Sequence, residues 1–268
     1  MKLLNGSELA GFIKERQAKD VRRLHTSKVF PKLAIVQVKD DPVINTYVRL
    51  KKRYGADIGI EVEQHTKEQA DVPKLLKKLN ADKSVNGIII QLPLSDTSQT
   101  DKIVNLVAPQ KDVDALGKKA QFDPATPMAI LWLLSGYNVE LKNKHILLIG
   151  RGKLVGEPLG KILKNSGHNV EVIGREVKDL AKHTKKADII ITATGSPAVL
   201  YPDMIKQGAV VVDAGVASEE GKTVGDLSPE VYEREDLTIT PEKGGVGPLT
   251  VCALFENVIR AAQSYAKS

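Results

Sequence analysis

Short apolar, β-rich runs alternate with helix-patterned segments almost from one end of this 268-residue chain to the other, and that rhythm restricts the fold more than any other feature. Residues 33–38, 61–64, 86–91, 145–149, 169–173, 188–192, 209–213 and 237–239 have the composition of strands. Helical patterns lie over 7–24, 44–58, 72–80, 100–107, 126–134, 156–165, 179–185 and 248–265. Gly87-Ile88-Ile89-Ile90 and Ala209-Val210-Val211-Val212 are apolar at successive positions, which suits strands covered on both faces. Alternation of this kind predicts an α/β protein with parallel sheets clad by helices and joined by right-handed crossovers.

The alternation is interrupted once, over residues 108–126, where Ala108-Pro109-Gln110-Lys111-Asp112-Val113-Asp114-Ala115 and Phe122-Asp123-Pro124-Ala125-Thr126-Pro127 bring in prolines and charges. Three βα units precede this stretch and a complete dinucleotide-type half follows it. Two domains also fit the length, at about 150 residues per domain. A hydrophobic share of 42% against 27% charged residues is globular and leaves disordered or collagenous chains aside. No apolar run approaches the roughly 18 residues a membrane helix needs, and the first residues, Met1-Lys2-Leu3-Leu4-Asn5-Gly6, form no signal-peptide core. With a single cysteine, Cys252, there is neither a disulfide framework nor a cysteine-based zinc site. A cytoplasmic protein is expected.

The net charge of +6 is unevenly placed: residues 1–80 hold 17 lysines and arginines against 10 carboxylates, the other 188 hold 22 against 23. A surplus of this kind is most simply a solvated basic face, and it also fits nucleic acid, anionic lipid or a small anionic ligand, because each is drawn by the same field. The 4% aromatic content and scattered cations argue against nucleic acid, and no membrane association is expected.

The strongest local signal is Ile146-Leu147-Leu148-Ile149-Gly150-Arg151-Gly152-Lys153-Leu154-Val155-Gly156, an apolar strand, a glycine-rich turn and the start of a helix. Such a turn lets backbone approach a pyrophosphate, and the helix N-terminus attracts it; an ordinary βα turn is the competing reading. Where an NAD site offers a carboxylate after the next strand, Val170-Glu171-Val172-Ile173 runs into Gly174-Arg175. Arg175 and Arg151 would clamp a 2′-phosphate, favouring NADP, unless Arg175 is a solvated surface residue. Tyr47 and Lys51 stand four apart, on one face of a helix. Short-chain dehydrogenases also use a Tyr-x-x-x-Lys pair, but after their glycine-rich turn; here the pair precedes it by about a hundred residues and so belongs to a separate substrate domain. Gln91 closes an apolar strand, where ligands of open α/β sheets gather. Lys111-Asp112-Val113-Asp114 lies in the boundary loop, and Thr240-Pro241-Glu242-Lys243-Gly244-Gly245-Val246-Gly247-Pro248 is a glycine-rich loop feeding a helix.

Together, Tyr47-x-x-x-Lys51-Lys52, Gln91-Leu92-Pro93-Leu94, Lys111-Asp112-Val113-Asp114, Thr126-Pro127, Gly150-Arg151 with Val155-Gly156 and Pro158, Val224-Gly225-Asp226, and Gly244-Gly245-Val246-Gly247-Pro248-Leu249-Thr250 resemble, in order, the bifunctional methylenetetrahydrofolate dehydrogenase/methenyltetrahydrofolate cyclohydrolase family. The resemblance implies an α/β substrate domain over 1–119, with a C-terminal helix over 255–268 packing back on it, and a Rossmann-type NADP-binding domain over 120–254. It implies NADP-dependent oxidation of 5,10-methylenetetrahydrofolate and hydrolysis of the methenyl product to 10-formyltetrahydrofolate, by a cytoplasmic homodimer acting on tetrahydrofolate derivatives, polyglutamylated ones included. Lys51 would be the central catalytic residue, Tyr47 would line or stack on the folate, Gln91 would hydrogen-bond Lys51 and Asp114 would hold the pterin. Leu92, Gly245 and Pro248 would complete the substrate contacts. Gly150, Arg151, Gly152, Thr194 and Val216 would contact the cofactor, with Arg175 where the family often has serine, and no metal is implied. Lys52 and Arg53 would help lower the Lys51 pKa. The chain departs from the family pattern at Ala115 (family glycine), Ala125 (cysteine), Gly152 (serine), Ala217 (asparagine) and Glu242-Lys243. The alternatives are another dehydrogenase of the same domain order, such as a shikimate or amino-acid dehydrogenase, and a diverged paralogue that binds NADP or folate without turnover.

Overall fold

A computed structural model of the chain describes residues 1–219 and 222–265; residues 266–268 of the expected last helix lie outside the described residues. In chain order the elements are β1 (Lys2–Leu3), α1 (Gly6–Thr26), β2 (Lys32–Gln37), α2 (Pro42–Ile58), β3 (Glu61–Thr66), α3 (Val72–Ala81), β4 (Gly87–Gln91) and α4 (Thr100–Val104). They continue with α5 (Ala125–Gly136), β5 (His145–Ile149), α6 (Gly156–Asn165), β6 (Asn169–Ile173), α7 (Leu180–Thr184), β7 (Ile189–Thr192) and β8 (Val210–Asp213). The hairpin β9 (Ala217–Glu219) and β10 (Lys222–Val224), then β11 (Thr238–Ile239) and α8 (Val246–Tyr265), complete the chain. The α/β class and the parallel pairing expected from the alternation are found.

The chain divides into two compact units. One holds residues 11–125 and the stretch from Val251 onward; the other holds Met1–Ala10 and Thr126–Thr250. The first ten residues therefore go with the later unit, because β1 adds in parallel to β11, with the Lys2 and Leu4 amides donating to the carbonyls of Leu237 and Ile239. A two-residue strand made only by this distant pairing has no local pattern, and neither it nor the polar hairpin β9–β10 was expected.

In the unit of residues 11–125 the sheet order is β3-β2-β4. Ala34, Val36, Ile88 and Ile90 face a core completed by Val72, Leu76 and Leu79 of α3 and Ile103 and Val104 of α4. Leu33, Ile35 and Ile89 are equally buried, as period-two alternation requires when both faces are covered. Helix α2 begins earlier than its apolar pattern: Asp41 caps it by accepting from the Val43 and Ile44 amides, Pro42 occupies the first turn, and Gly59 ends it at φ 84°. Helix α4 stops at Val104, short of the expected 107, where the Asn105 side-chain amide donates to the Asp101 carbonyl at 2.6 Å.

The other unit carries a six-stranded parallel sheet of order β1-β11-β8-β7-β5-β6. Leu147, Ile149, Ile190, Val211 and Ile239 line one core together with Leu200, Leu227 and Val231. Both sheets share a local winding. The first strand of each βα series, β2 or β5, lies between its next two strands, so successive crossovers leave in opposite directions. Open α/β sheets bind ligands outside the carboxyl ends of their strands at such a reversal, and the candidate residues cluster at these two places.

Candidate active site

At the first reversal, β2 and β4 end side by side with Gln37 opposite Gln91. Helix α2, which follows β2, presents Lys51, whose Nζ donates to Gln91 Oε1 at 2.7 Å. Burial lowers the Lys51 pKa below that of an ordinary lysine, and the nearby Asp114 carboxylate opposes the shift. Burial raises Asp114 in turn, with Lys51 opposing. The sequence reading gave Lys52 and Arg53 a part in lowering Lys51; both are exposed, and desolvation accounts for the direction. Tyr47, one turn before Lys51, is half-buried and its hydroxyl is pushed up by burial. Leu92 packs on the α3-side core. Gln37 is buried and fully used, donating to the Lys39 carbonyl and Asn45 and accepting from Gln64.

Asp114 owes its place to its neighbours in the boundary loop. The Lys111 ammonium is buried and donates to the carbonyls of Leu79 and Asp82 at the end of α3, at 3.0 and 2.5 Å. Asp112, 3% exposed, accepts from the Gly117 amide at 2.7 Å, and burial pushes its carboxyl up to about 6. From α8 the Asn257 amide donates to the Val113 carbonyl at 2.9 Å. Lys111 and Asp112, a motif without an assigned role in the sequence reading, thus hold the loop rather than face a ligand.

At the second reversal the groups are mostly backbone. Gly150 has φ 119°, and a side chain there would meet the Ala193 carbonyl oxygen at 2.4 Å; one at Gly156 would meet the Gly150 oxygen at 2.0 Å. These two glycines let strand, turn and helix N-terminus close tightly. Gly152 faces open space. The residues fit a dinucleotide pyrophosphate: a turn without side chains leads into the N-terminus of the ten-residue helix α6. Arg151 donates from Nη2 to the Val172 carbonyl at 2.9 Å and pairs with Glu176 at 3.0 Å. Arg175 and Val216 are exposed. Thr194 opens the loop after β7, and its amide donates to Asp226 at 2.7 Å.

Asp226 and Asp213 hold the loops at this reversal; the sequence reading took Asp226 only as part of a motif and gave neither residue a role. Asp226 is fully buried and accepts from the Thr194 and Ser196 amides, fixing the loop around Gly195. Asp213 accepts from the amides of Gly215, Asp226 and Leu227. Each carboxylate fills the space beside a glycine of the opposite loop: a side chain at Gly215 would strike Asp226 at 1.9 Å, and one at Gly225 would strike Asp213 at 2.0 Å. The Val224-Gly225-Asp226 motif was the available signal. Gly245 and Pro248 belong to this same unit, where the Gly245 carbonyl lies against Gly6 and the Gly244 carbonyl accepts from the Ser7 amide. Among the described residues no His, Cys, Asp and Glu cluster is placed to hold a metal ion.

A glycine-lined turn into a helix N-terminus at one reversal and a desolvated lysine, amide and carboxylate at the other are the arrangement of a two-unit NAD(P)-type oxidoreductase. Residues 4–114 match the tetrahydrofolate dehydrogenase/cyclohydrolase catalytic domain and residues 124–266 match the NAD(P)-binding domain of the same enzymes. The chain belongs to the tetrahydrofolate dehydrogenase/cyclohydrolase family. The bifunctional protein FolD of Nautilia profundicola is 36% identical, with 100% of this chain and 99% of that protein covered. The crystal structure of the FolD dehydrogenase/cyclohydrolase of Campylobacter jejuni has a TM-score of 0.93 at 35% identity, covering 98% of this chain and 99% of that one. The Trypanosoma brucei enzyme, solved with NADP and an inhibitor, has a TM-score of 0.92 at 26% identity, covering 99% and 98%.

Proposed function

We propose that this chain catalyses both reactions its family is named for: NADP-dependent oxidation of 5,10-methylenetetrahydrofolate to the 5,10-methenyl form, and hydrolysis of that product to 10-formyltetrahydrofolate. The observation that carries the reading is the 2.7 Å contact of Lys51 Nζ with Gln91 Oε1 beside Asp114. Oxidation takes hydride from a methylene carbon flanked by nitrogen lone pairs, so the protein's task is chiefly orientation. NADP supplies the hydride acceptor when bound.

Hydrolysis needs proton management. Water addition at the methenyl carbon releases one proton, and opening of the ring moves the new hydroxyl's proton to N5 as the C–N5 bond breaks and the formyl C=O forms, so that one proton is released overall. A lysine with its pKa lowered by burial gives up its proton more readily than an ordinary one and serves both needs. Gln91 fixes the Nζ, and Asp114 accepts from the guanidine-like N–H edge of the pterin. Tyr47 and Leu92 line the folate, Gly245 and Pro248 add backbone contacts, and Gly150, Arg151, Gly152, Arg175, Thr194 and Val216 hold the dinucleotide.

In this reading the enzyme is a cytoplasmic homodimer. The cationic surplus of residues 1–80, with exposed Lys52 and Arg53 next to Lys51, draws the glutamate tail of folates, polyglutamylated ones most. Affinity for a polyglutamylated substrate then falls steeply with salt, and a flat salt dependence discards the steering role. One assay tests the whole reading: absorbance of the methenyl species after mixing protein, 5,10-methylenetetrahydrofolate and NADP. Accumulation followed by decay is expected. Accumulation alone leaves a dehydrogenase, and no signal leaves a binder without turnover.

A further inference from the structure

The carboxyl end of β6 carries an acid that the sequence reading overlooked. Glu176 folds back so that its Oε1 accepts from the Gly174 amide at 3.1 Å and from Arg151 Nη2 at 3.0 Å. The fold-back depends on glycine, since a side chain at Gly174 would meet Glu176 Oε2 at 2.5 Å. Strands β5 and β6 end in register, Ile149 opposite Ile173, and the Gly150 amide donates to the Ile173 carbonyl at 2.8 Å. The glycine-rich turn and the Gly174 turn are therefore immediate neighbours. In dinucleotide-binding units this is where the adenine ribose is read: a carboxylate accepts from the ribose hydroxyls of NAD, or a guanidinium pairs with the 2′-phosphate of NADP. This chain has both groups, already joined to each other.

We propose that Glu176 is a specificity-determining residue that narrows the preference for NADP over NAD. Its carboxylate holds the anion position that Arg151 and the Gly174 amide offer a 2′-phosphate. A phosphorylated ribose must displace it and meets its negative charge, whereas an unphosphorylated ribose finds an acceptor for its hydroxyls. The displacement is within reach, because the Arg151 and Glu176 side chains are 58% and 55% exposed and exposed ion pairs are weak. Arg175, next in sequence and exposed, remains available to the phosphate while Arg151 is engaged. The proposal rests on the NADP reading of this unit and adds a residue that opposes it.

The test is calorimetric and needs no turnover. Adenosine 2′,5′-bisphosphate and adenosine 5′-monophosphate are titrated into the full-length wild type, Glu176→Gln and Glu176→Ala, with folding checked by circular dichroism. Releasing Arg151 is expected to tighten bisphosphate binding by about fivefold in both variants, while the monophosphate, which loses an acceptor for its ribose hydroxyls, binds no more tightly than to wild type, so that the ratio of the two dissociation constants moves. Bisphosphate binding to wild type with an unchanged or weaker affinity in both variants overturns the role of Glu176 alone. Failure of all three proteins to prefer the bisphosphate overturns the NADP reading and the role of Glu176 together.

Discussion

The two sheets of this chain wind alike near their reversal points, yet they equip those points differently. Beside β2 and β4 the polar groups are side chains, shielded and paired: Lys51 on Gln91, Gln37 on Asn45 and Gln64, Asp112 on backbone amides. Beside β5 and β7 they are largely backbone amides uncovered by glycines, with charged side chains out in solvent. A reaction that moves protons needs shifted pKa values, and burial supplies the shift. A cofactor carrying a pyrophosphate and a 2′-phosphate needs close backbone approach and cations that can rearrange. The same winding serves both because the strand ends fix position and the loops decide chemistry.

The contrast is broken most forcefully at Lys51. Lys51→Met keeps an apolar stem of similar length and removes the titrating group. Cyclohydrolase activity is expected to fall by at least about a hundredfold, with NADP affinity unchanged, by methenyl decay on one side and calorimetry on the other. Retained hydrolysis would remove Lys51 from the centre of the site.

Asp226 is the buried side-chain anchor of the otherwise backbone-built reversal. Asp226→Ala leaves the Thr194 amide without its acceptor and the Ser196 amide with Thr194 Oγ1 alone, at a cost of about 1–3 kcal/mol for the one unmet group. Denaturant unfolding should show that loss, and the KM for NADP should rise more than kcat falls, since the loop is loosened while Lys51 is untouched.

The shielded reversal should also carry a pH signature. Asp112 has a folded pKa of about 6 against an ordinary value of 3.8. Between those values the folded state holds a proton that the unfolded state has released. Its contribution is therefore full below pH 4 and lost as pH rises through 6. Relative to Asp112→Asn, wild-type stability should decline by about 2–3 kcal/mol across that window. Parallel stability profiles for the two proteins would show that the loop keeps Asp112 ionised.

Legibility in the sequence followed the range of the interaction. Strands β5 and β6 and helix α6 were read to the residue, because each is a local pattern bounded by turn or helix-stop residues. Lys51, Gln91 and Asp114 were found through motifs that also mark their elements. What stayed hidden depends on partners far along the chain. Strand β1 exists through β11, over two hundred residues away. Asp226 matters through a loop about thirty residues upstream, and Glu176 through Arg151. Lys111 and Asp112 were visible as charges, but the charge that turns inward to close a helix looks, in sequence, like the charge that faces a ligand.

The smallest effect tests how finely the shielded reversal is tuned. Ala115 follows Asp114 and sits at φ 56°, in the left-handed region where a Cβ crowds its own backbone at a cost of about 1–2 kcal/mol. The resemblance makes this position a family glycine, so the chain carries strain one residue from Asp114, the carboxylate proposed to hold the pterin. Ala115→Gly relieves the crowding but gives the unfolded chain more freedom, so a net gain of about 0.5–1 kcal/mol is expected in denaturant unfolding. If the strain only costs stability, cyclohydrolase activity stays level in Ala115→Gly. If instead the methyl group keeps Asp114 aimed, the more stable variant hydrolyses the methenyl substrate more slowly, with a higher KM for folate and an unchanged one for NADP. Either result shows whether the pre-paired side chains of this site tolerate backbone freedom that the glycine-built site beside β5 depends on.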